Sequence, residues 1–239
     1  HGLGEHSGRY DALARELNAQ GISLRAFDHR GHGRSQGMRG VVGKEAACLS
    51  RDTVEVFNAY AAESEDVPFL LGHSMGGLVV MHAVARLGLR PRGLIASSPA
   101  LASHAGAFDR LLSKLLLHVA PDLTVANGLP ADRLSHAAGV ERTYLDDPLN
   151  HNRISARLAR YIFDAGPEVI AAAPQWAVPT LLQIAGSDQL VDPAGARAFA
   201  KAAPRETVEL HDYNGLYHEI YNEAEPGRSN VVNDLKDWL

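Results

Sequence analysis

The chain has 239 residues, 46% hydrophobic and 21% charged, with 23 Lys and Arg against 28 Asp and Glu for a formal net charge of −5. That length suffices for a large α/β domain with ample core, while the acidic balance and the lack of any basic run give no footprint for nucleic acid, so no nucleic-acid partner is expected. A single cysteine, Cys48, excludes a disulfide framework and a cysteine-rich zinc site, and no apolar run reaches the roughly 18 residues needed to span a bilayer.

In chain order, "RYDALARELNAQG" (Arg9 to Gly21) places Leu13 and Leu17 at helical spacing and stops at a glycine, as a helix C-terminus should. "ISLRAFD" then reads as a strand, followed by the glycine-rich "HRGHGRSQG". Lys44 to about Glu63 reads as a helix, "VPFLLG" as a buried strand, Met75 to Leu87 as a helix and "RGLIASSP" as another strand. From Ala100 to about Pro174 no strand-like run occurs, but helical ones do, notably "FDRLLSKLLLHV". Alternation resumes with "VPTLLQIAG", "PAGARAFAKAA", "ETVELHDY" and the terminal "SNVVNDLKDWL". Strands alternating with helices predict a mostly parallel sheet covered on both faces. The predicted organisation is a core in two parts, residues 1–99 and 175–239, interrupted by a helical insertion over 100–174.

The stretch "LLGHSMGGLVV" carries the chemistry. Gly72-His73-Ser74-Met75-Gly76 matches G-x-S-x-G between a predicted strand and a predicted helix, the context expected of a nucleophile elbow. A serine hydroxyl needs a base, and the base needs an orienting carboxylate, in the chain order Ser, Asp or Glu, His. Among 12 histidines, His218 follows the last predicted strand and precedes the terminal helix. For the acid, "LLQIAGSDQLVD" offers Asp188 and Asp192. Asp188 lies nearer the strand end, whereas Asp192 precedes Pro193, as a helix cap does. An oxyanion hole needs two backbone N–H groups: Met75, following the serine, and Leu3 in the His-Gly loop "HGLGEH" are the candidates.

"HGLGEHSGRY", "FDHRGHGRSQG", "LLGHSMGG", "YLDDPL", "GSDQLVD" and "YHEIYNE" together resemble the monoacylglycerol lipase and lysophospholipase branch of the serine α/β-hydrolases, over nearly the whole chain. The resemblance implies the α/β-hydrolase fold, with Ser74, Asp188 and His218 as triad, Leu3 and Met75 as oxyanion hole, and the insertion as a lipid-facing cap. It also implies that Glu5, Arg9 and Tyr144 lie near the polar head of a monoglyceride, the alternative being that Glu5 and Arg9 pair with each other and hold their loop. In that architecture a strand feeds the His-Gly loop. Nothing precedes His1, so the expectation is a fragment lacking the first strands, unstable or poorly active alone, with N-terminal targeting left open.

In "FDRLLSKLLLHVA", Leu111, Leu112, Leu115, Leu116 and Val119 share one helical face against Arg110, Ser113 and Lys114. Such a stripe packs on its own core, or lines an acyl tunnel and touches a lipid surface transiently. "DHRGHGRSQG" lacks the spacing of a phosphate loop or dinucleotide fingerprint, and His29 and His32 have no accompanying ligand cluster, so a structural loop is expected and no metal. The expected activity is hydrolysis of a lipid carboxylic ester, monoacylglycerol first, through an acyl-serine and without metal or organic cofactor, in the cytoplasm or peripheral to a membrane. A lysophospholipase or short-chain carboxylesterase would use the same triad; a haloperoxidase-like or carbon–carbon bond hydrolase and a noncatalytic lipid-binding relative are the more distant alternatives.

Overall fold

The computed structural model describes residues 1–45 and 47–239, and within them the side chains of all but residues 107–110 and 112. A four-stranded parallel sheet forms the centre, built from β1 (Leu70–His73), β2 (Leu94–Ser97), β5 (Thr180–Ala185) and β6 (Val208–Tyr213) in that spatial order. Every residue of β2 and β5 is buried, because helices cover both faces and leave no side for water.

The two-residue alternation of the strands sorts their side chains between two cores. Ile95 and Leu181, opposite each other in register, join Leu13 and Leu17 of α1 (Asp11–Asn18) and Val231, Val232 and Leu235 of α8 (Gly227–Trp238). Ala96 and Leu182, the next pair along, point the other way. They join Leu49 and Phe57 of α2 (Cys48–Glu63), Leu78 and Val79 of α3 (Met75–Leu87), and Phe199 of α7 (Pro193–Ala202).

Between β2 and β5 the chain forms α4 (Ala107–Val119), α5 (Val140–Asp146) and α6 (Ala156–Ala172). Leu158, Tyr161, Ala165 and Val169 of α6 are buried in the same cluster as Leu78 and Leu182. Two expectations are corrected here. The segment without strands contains a short antiparallel pair, β3 (Thr124–Ala126) with β4 (Arg153–Ser155), each only three residues and too short to show periodicity. "ISLRAFD" is no strand, since no described strand lends residues 22–28 a hydrogen-bond ladder. Ile22 and Leu24 nonetheless pack on the α1–α8 core.

On α4, Leu111, Leu115 and Val119 are 66%, 61% and 72% exposed and turn away from the core, while Leu116 of the same stripe is half-buried. The side chains of Arg110 and Leu112, on the same helix, lie outside the described residues. Among the described residues no helix is long and apolar enough to cross a membrane.

Candidate active site

β1 ends at His73 and α3 begins at Met75, leaving Ser74 alone at the corner with φ 54° and ψ −119°. Such backbone is strained for an L residue and persists only where its surroundings enforce it. Here Ser74 N–H donates to the Ser97 carbonyl at 2.9 Å, and the Ser74 carbonyl accepts from Ala100 N–H at 3.0 Å. The flanking glycines are required by space: a Cβ on Gly72 would overlap the Gly76 carbonyl oxygen, and one on Gly76 would stand 2.5 Å from the His1 carbonyl oxygen.

Asp188 follows β5, and its Oδ1 accepts Leu190 and Val191 N–H, both at 2.9 Å. Its Oδ2 accepts His218 Nδ1–H at 2.6 Å, with both side chains buried. Burial opposes charge on the Asp188 carboxyl, yet the neighbouring His218 and these donors hold its pKa below the ordinary carboxylate value. Burial likewise disfavours the His218 imidazolium, but the Asp188 carboxylate outweighs it and raises that pKa. Asp192 instead accepts Ala194 N–H at 2.9 Å and caps α7.

His73 was not anticipated as a site residue. Its ring centroid lies 4.7 Å from that of His218, and burial followed by the charge of His218 pushes its pKa down to about 3, so it is neutral. The N–H groups of Leu3 and Met75 donate no hydrogen bond among the described residues, and Met75 opens α3, where the first helical N–H groups lack intrahelical acceptors.

Glu5, Arg9 and Tyr144 come together, and Glu5 and Arg9 pair with each other within a wider buried network. Glu5 Oε2 accepts from Arg9 at 2.6 Å, and Oε1 accepts from Tyr10 hydroxyl at 2.7 Å and from Gly2 N–H. Arg9 also holds Glu219 with both terminal nitrogens and lies 4.9 Å above the Tyr144 ring. Burial works against the Glu5 charge, but Arg9 prevails and brings its pKa down to about 2. Burial followed by the Glu5 charge pushes Tyr144 up to about 12. Glu219 is the second residue that sequence reasoning passed over; its signal was its place beside His218 in "YHEIYNE".

Ser74, His218, His73, Leu3, Glu5, Tyr144 and Glu219 line one cavity, walled by Leu190 and by Leu129, Pro130, Ala131 and Leu134 from the segment between β3 and α5. A second cavity of about 340 Å³ lies between Ala100–Ser103 and Ile162, Phe163, Pro167 and Ile170 of α6. Its first wall residue, Ala100, is the one bonded to the Ser74 carbonyl. His29 and His32 line neither cavity. Their loop is clamped by Asp28, whose Oδ1 accepts Ser7 N–H and Oδ2 accepts Arg34 N–H, both at 2.7 Å. Among the described residues no cluster of three or more His, Cys, Asp or Glu is arranged to hold a metal ion.

A parallel sheet covered on both faces, with a strained serine where a strand meets a buried helix, defines a serine hydrolase of the α/β-hydrolase fold. Within that class the chain belongs to the serine aminopeptidase, S33 family, whose model matches residues 1–225. It is 34% identical over 243 residues to a monoacylglycerol lipase of Mycolicibacterium smegmatis, covering all of this chain and 85% of that one. It is 32% identical over 244 residues to a monoglyceride lipase of Rattus norvegicus, covering all of this chain and 80% of the relative. The crystal structure of a Paleococcus ferrophilus monoacylglycerol lipase superposes with a TM-score of 0.90 at 33% identity, covering 100% of this chain and 93% of that one.

Proposed function

We propose that this protein hydrolyses monoacylglycerols to fatty acid and glycerol through an acyl-serine intermediate, with Ser74, His218 and Asp188 as the triad. One observation carries the reading: His218, paired with the buried Asp188, lines the same cavity as the strained Ser74. Because Nδ1 of His218 is committed to Asp188, Nε2 is the nitrogen that takes the Ser74 proton as Oγ attacks the ester carbonyl carbon. The Leu3 and Met75 N–H groups hold the carbonyl oxygen as it becomes negative. His218 then passes the proton to the departing glycerol oxygen. Water attacks the acyl-serine, giving a proton to His218, and the fatty acid leaves as that proton returns to Ser74.

The apolar cavity beside Ala100 suits the acyl chain, and Tyr144 on the first cavity's wall suits the glycerol hydroxyls, with Glu5 and Arg9 holding the loop behind it. The relatives' names favour a monoglyceride over other esters. The exposed Leu111, Leu115 and Val119 suit transient contact of α4 with a lipid surface.

The test is hydrolysis of a C2-to-C18 monoacylglycerol series, with Ser74→Ala and a lysophospholipid in parallel. A serine-dependent optimum at medium or long chains with little lysophospholipid turnover is expected. An optimum at C2–C4, or faster cleavage of the lysophospholipid, would replace this substrate with a short ester or a phospholipid.

A further inference from the structure

The loop carrying His218 is fastened to a segment that walls the cavity. On one side of His218, Tyr217 N–H donates to Glu223 Oε1 at 2.7 Å; on the other, Glu219 N–H donates to the Leu134 carbonyl at 2.8 Å. Leu134 lines the cavity with Ser74 and His218. The turn after Leu134 returns to Glu223: His136 gives it a backbone N–H at 3.0 Å and its ring Nδ1–H at 2.8 Å. Ser135 hydroxyl donates to the Asn222 carbonyl at 2.8 Å, and the His136 ring stacks on Tyr217 with centroids 3.6 Å apart. Glu223 is buried and also accepts Ala224 N–H at 2.8 Å.

A buried carboxylate is costly to leave unpaired and is held here by several donors. Its oxygens accept from donors on two segments about 87 residues apart in sequence. An amide at this place would turn an NH2 group toward N–H groups, so the arrangement requires an acceptor on both arms. Nothing in the chemistry of ester cleavage uses Glu223 directly, since it does not line the cavity.

We propose that Glu223 is a positioning residue for the base: it ties the peptide flank of His218 to the 134–137 turn, so that the cavity wall and the base hold one alignment. This rests on the reading of His218 as the general base. The alignment matters because a misplacement of about 1 Å can cost about 10²-fold in rate.

The readout is the acid limb of kcat/KM, which reports protonation of the base in the free enzyme. The groups facing His218 are Asp188 from the loop after β5, His73 from the end of β1, Glu5 from the first loop, and Glu219 beside it. The Asp188 contact is the main one that raises the His218 pKa against burial. A loosened loop weakens that contact and moves the limb to lower pH.

Glu223→Gln, His136→Ala and His136→Asn are compared with wild type on a soluble short-chain ester, with Tyr161→Phe as a control. Tyr161 gives up a buried hydrogen bond to Ser50 at 2.8 Å and lines neither cavity, so on a short-chain ester its loss reports stability. Glu223→Gln is expected to lower kcat roughly 10- to 100-fold with little change in KM and to shift the acid limb downward. His136→Ala should move both in the same direction by less, and His136→Asn, whose side-chain N–H can replace Nδ1–H, should recover most of the loss. His136→Ala also carries the test if Glu223→Gln does not fold. Wild-type kcat and acid limb in the folded Glu223 and His136 variants, or a loss of kcat that Tyr161→Phe reproduces at equal Tm without any shift of the limb, would overturn the positioning role. Hydrolysis that survives Ser74→Ala would instead overturn the catalytic reading, and this proposal with it.

Discussion

Ser74 sits in a backbone setting that costs roughly 1–3 kcal/mol, and hydrogen bonds through its own peptide groups, to Ser97, Ala100 and Leu78, hold it there. The same economy governs its partners, since Asp188 is fixed by two backbone N–H groups before it meets His218. Asp188→Asn keeps the shape but removes the charge that favours the correct imidazole tautomer, so kcat should fall by about 10⁴ with the fold intact; a variant retaining a tenth of wild-type kcat would refute the assignment. The pH dependence has a definite sign. As the proposed base, His218 must be neutral to accept a proton, and its pKa is raised above the ordinary 6.5, so activity should be lost as pH falls through a midpoint above 6.5. A midpoint below 6.5 in kcat/KM would contradict it.

Elements were legible where their pattern is long and local. Met75 to Leu87 reads as a helix from apolar spacing and is one, ending at Gly88 with φ 70°, a left-handed setting that glycine takes freely. The three-residue strands β3 and β4 were not legible, because neither Thr124–Ala126 nor Arg153–Ser155 is long enough to establish a period. For α4 the sequence showed the stripe but left open what it faces, and the structure turns Leu111, Leu115 and Val119 away from the core while Leu116 is half-buried. Leu115→Asp, at a position 61% exposed, should change stability by no more than about 0.5 kcal/mol. It should slow hydrolysis of monoacylglycerol presented in vesicles while sparing a soluble short ester. Equal loss on both substrates would remove α4 from lipid contact.

At the scale of the whole molecule, the Glu5–Arg9–Glu219 network joins the first loop to a residue 210 positions away. Arg9 stands between two buried carboxylates, so removing it leaves both uncompensated. Arg9→Met is therefore expected to destabilise the fold by roughly 3–5 kcal/mol in urea melts at neutral pH. The sign with pH follows from Glu5: its folded pKa of about 2 lies below the ordinary 4.5, so its contribution is full above 4.5 and is lost as pH falls toward 2. The penalty of Arg9→Met should shrink across that window; a penalty unchanged at the acid end would mean that the pair adds no net charge stabilisation.

The sequence by itself determined what depends on neighbours along the chain: the elbow, whose glycines and serine fall within five residues, the helix caps such as Asp192 before Pro193, and the order in which candidate serine, acid and base occur. Only the tertiary structure decided which side chains meet across distance: that Asp188 takes His218, that Arg9 divides itself between Glu5 and Glu219, and that Leu134 and Glu223 accept the peptide N–H groups on either side of His218. The physical reason is that local conformation follows from sterics and hydrogen bonds within a few residues, whereas partners 30 to 210 positions apart are chosen by how the sheet stacks its strands and where the two apolar cores close around them.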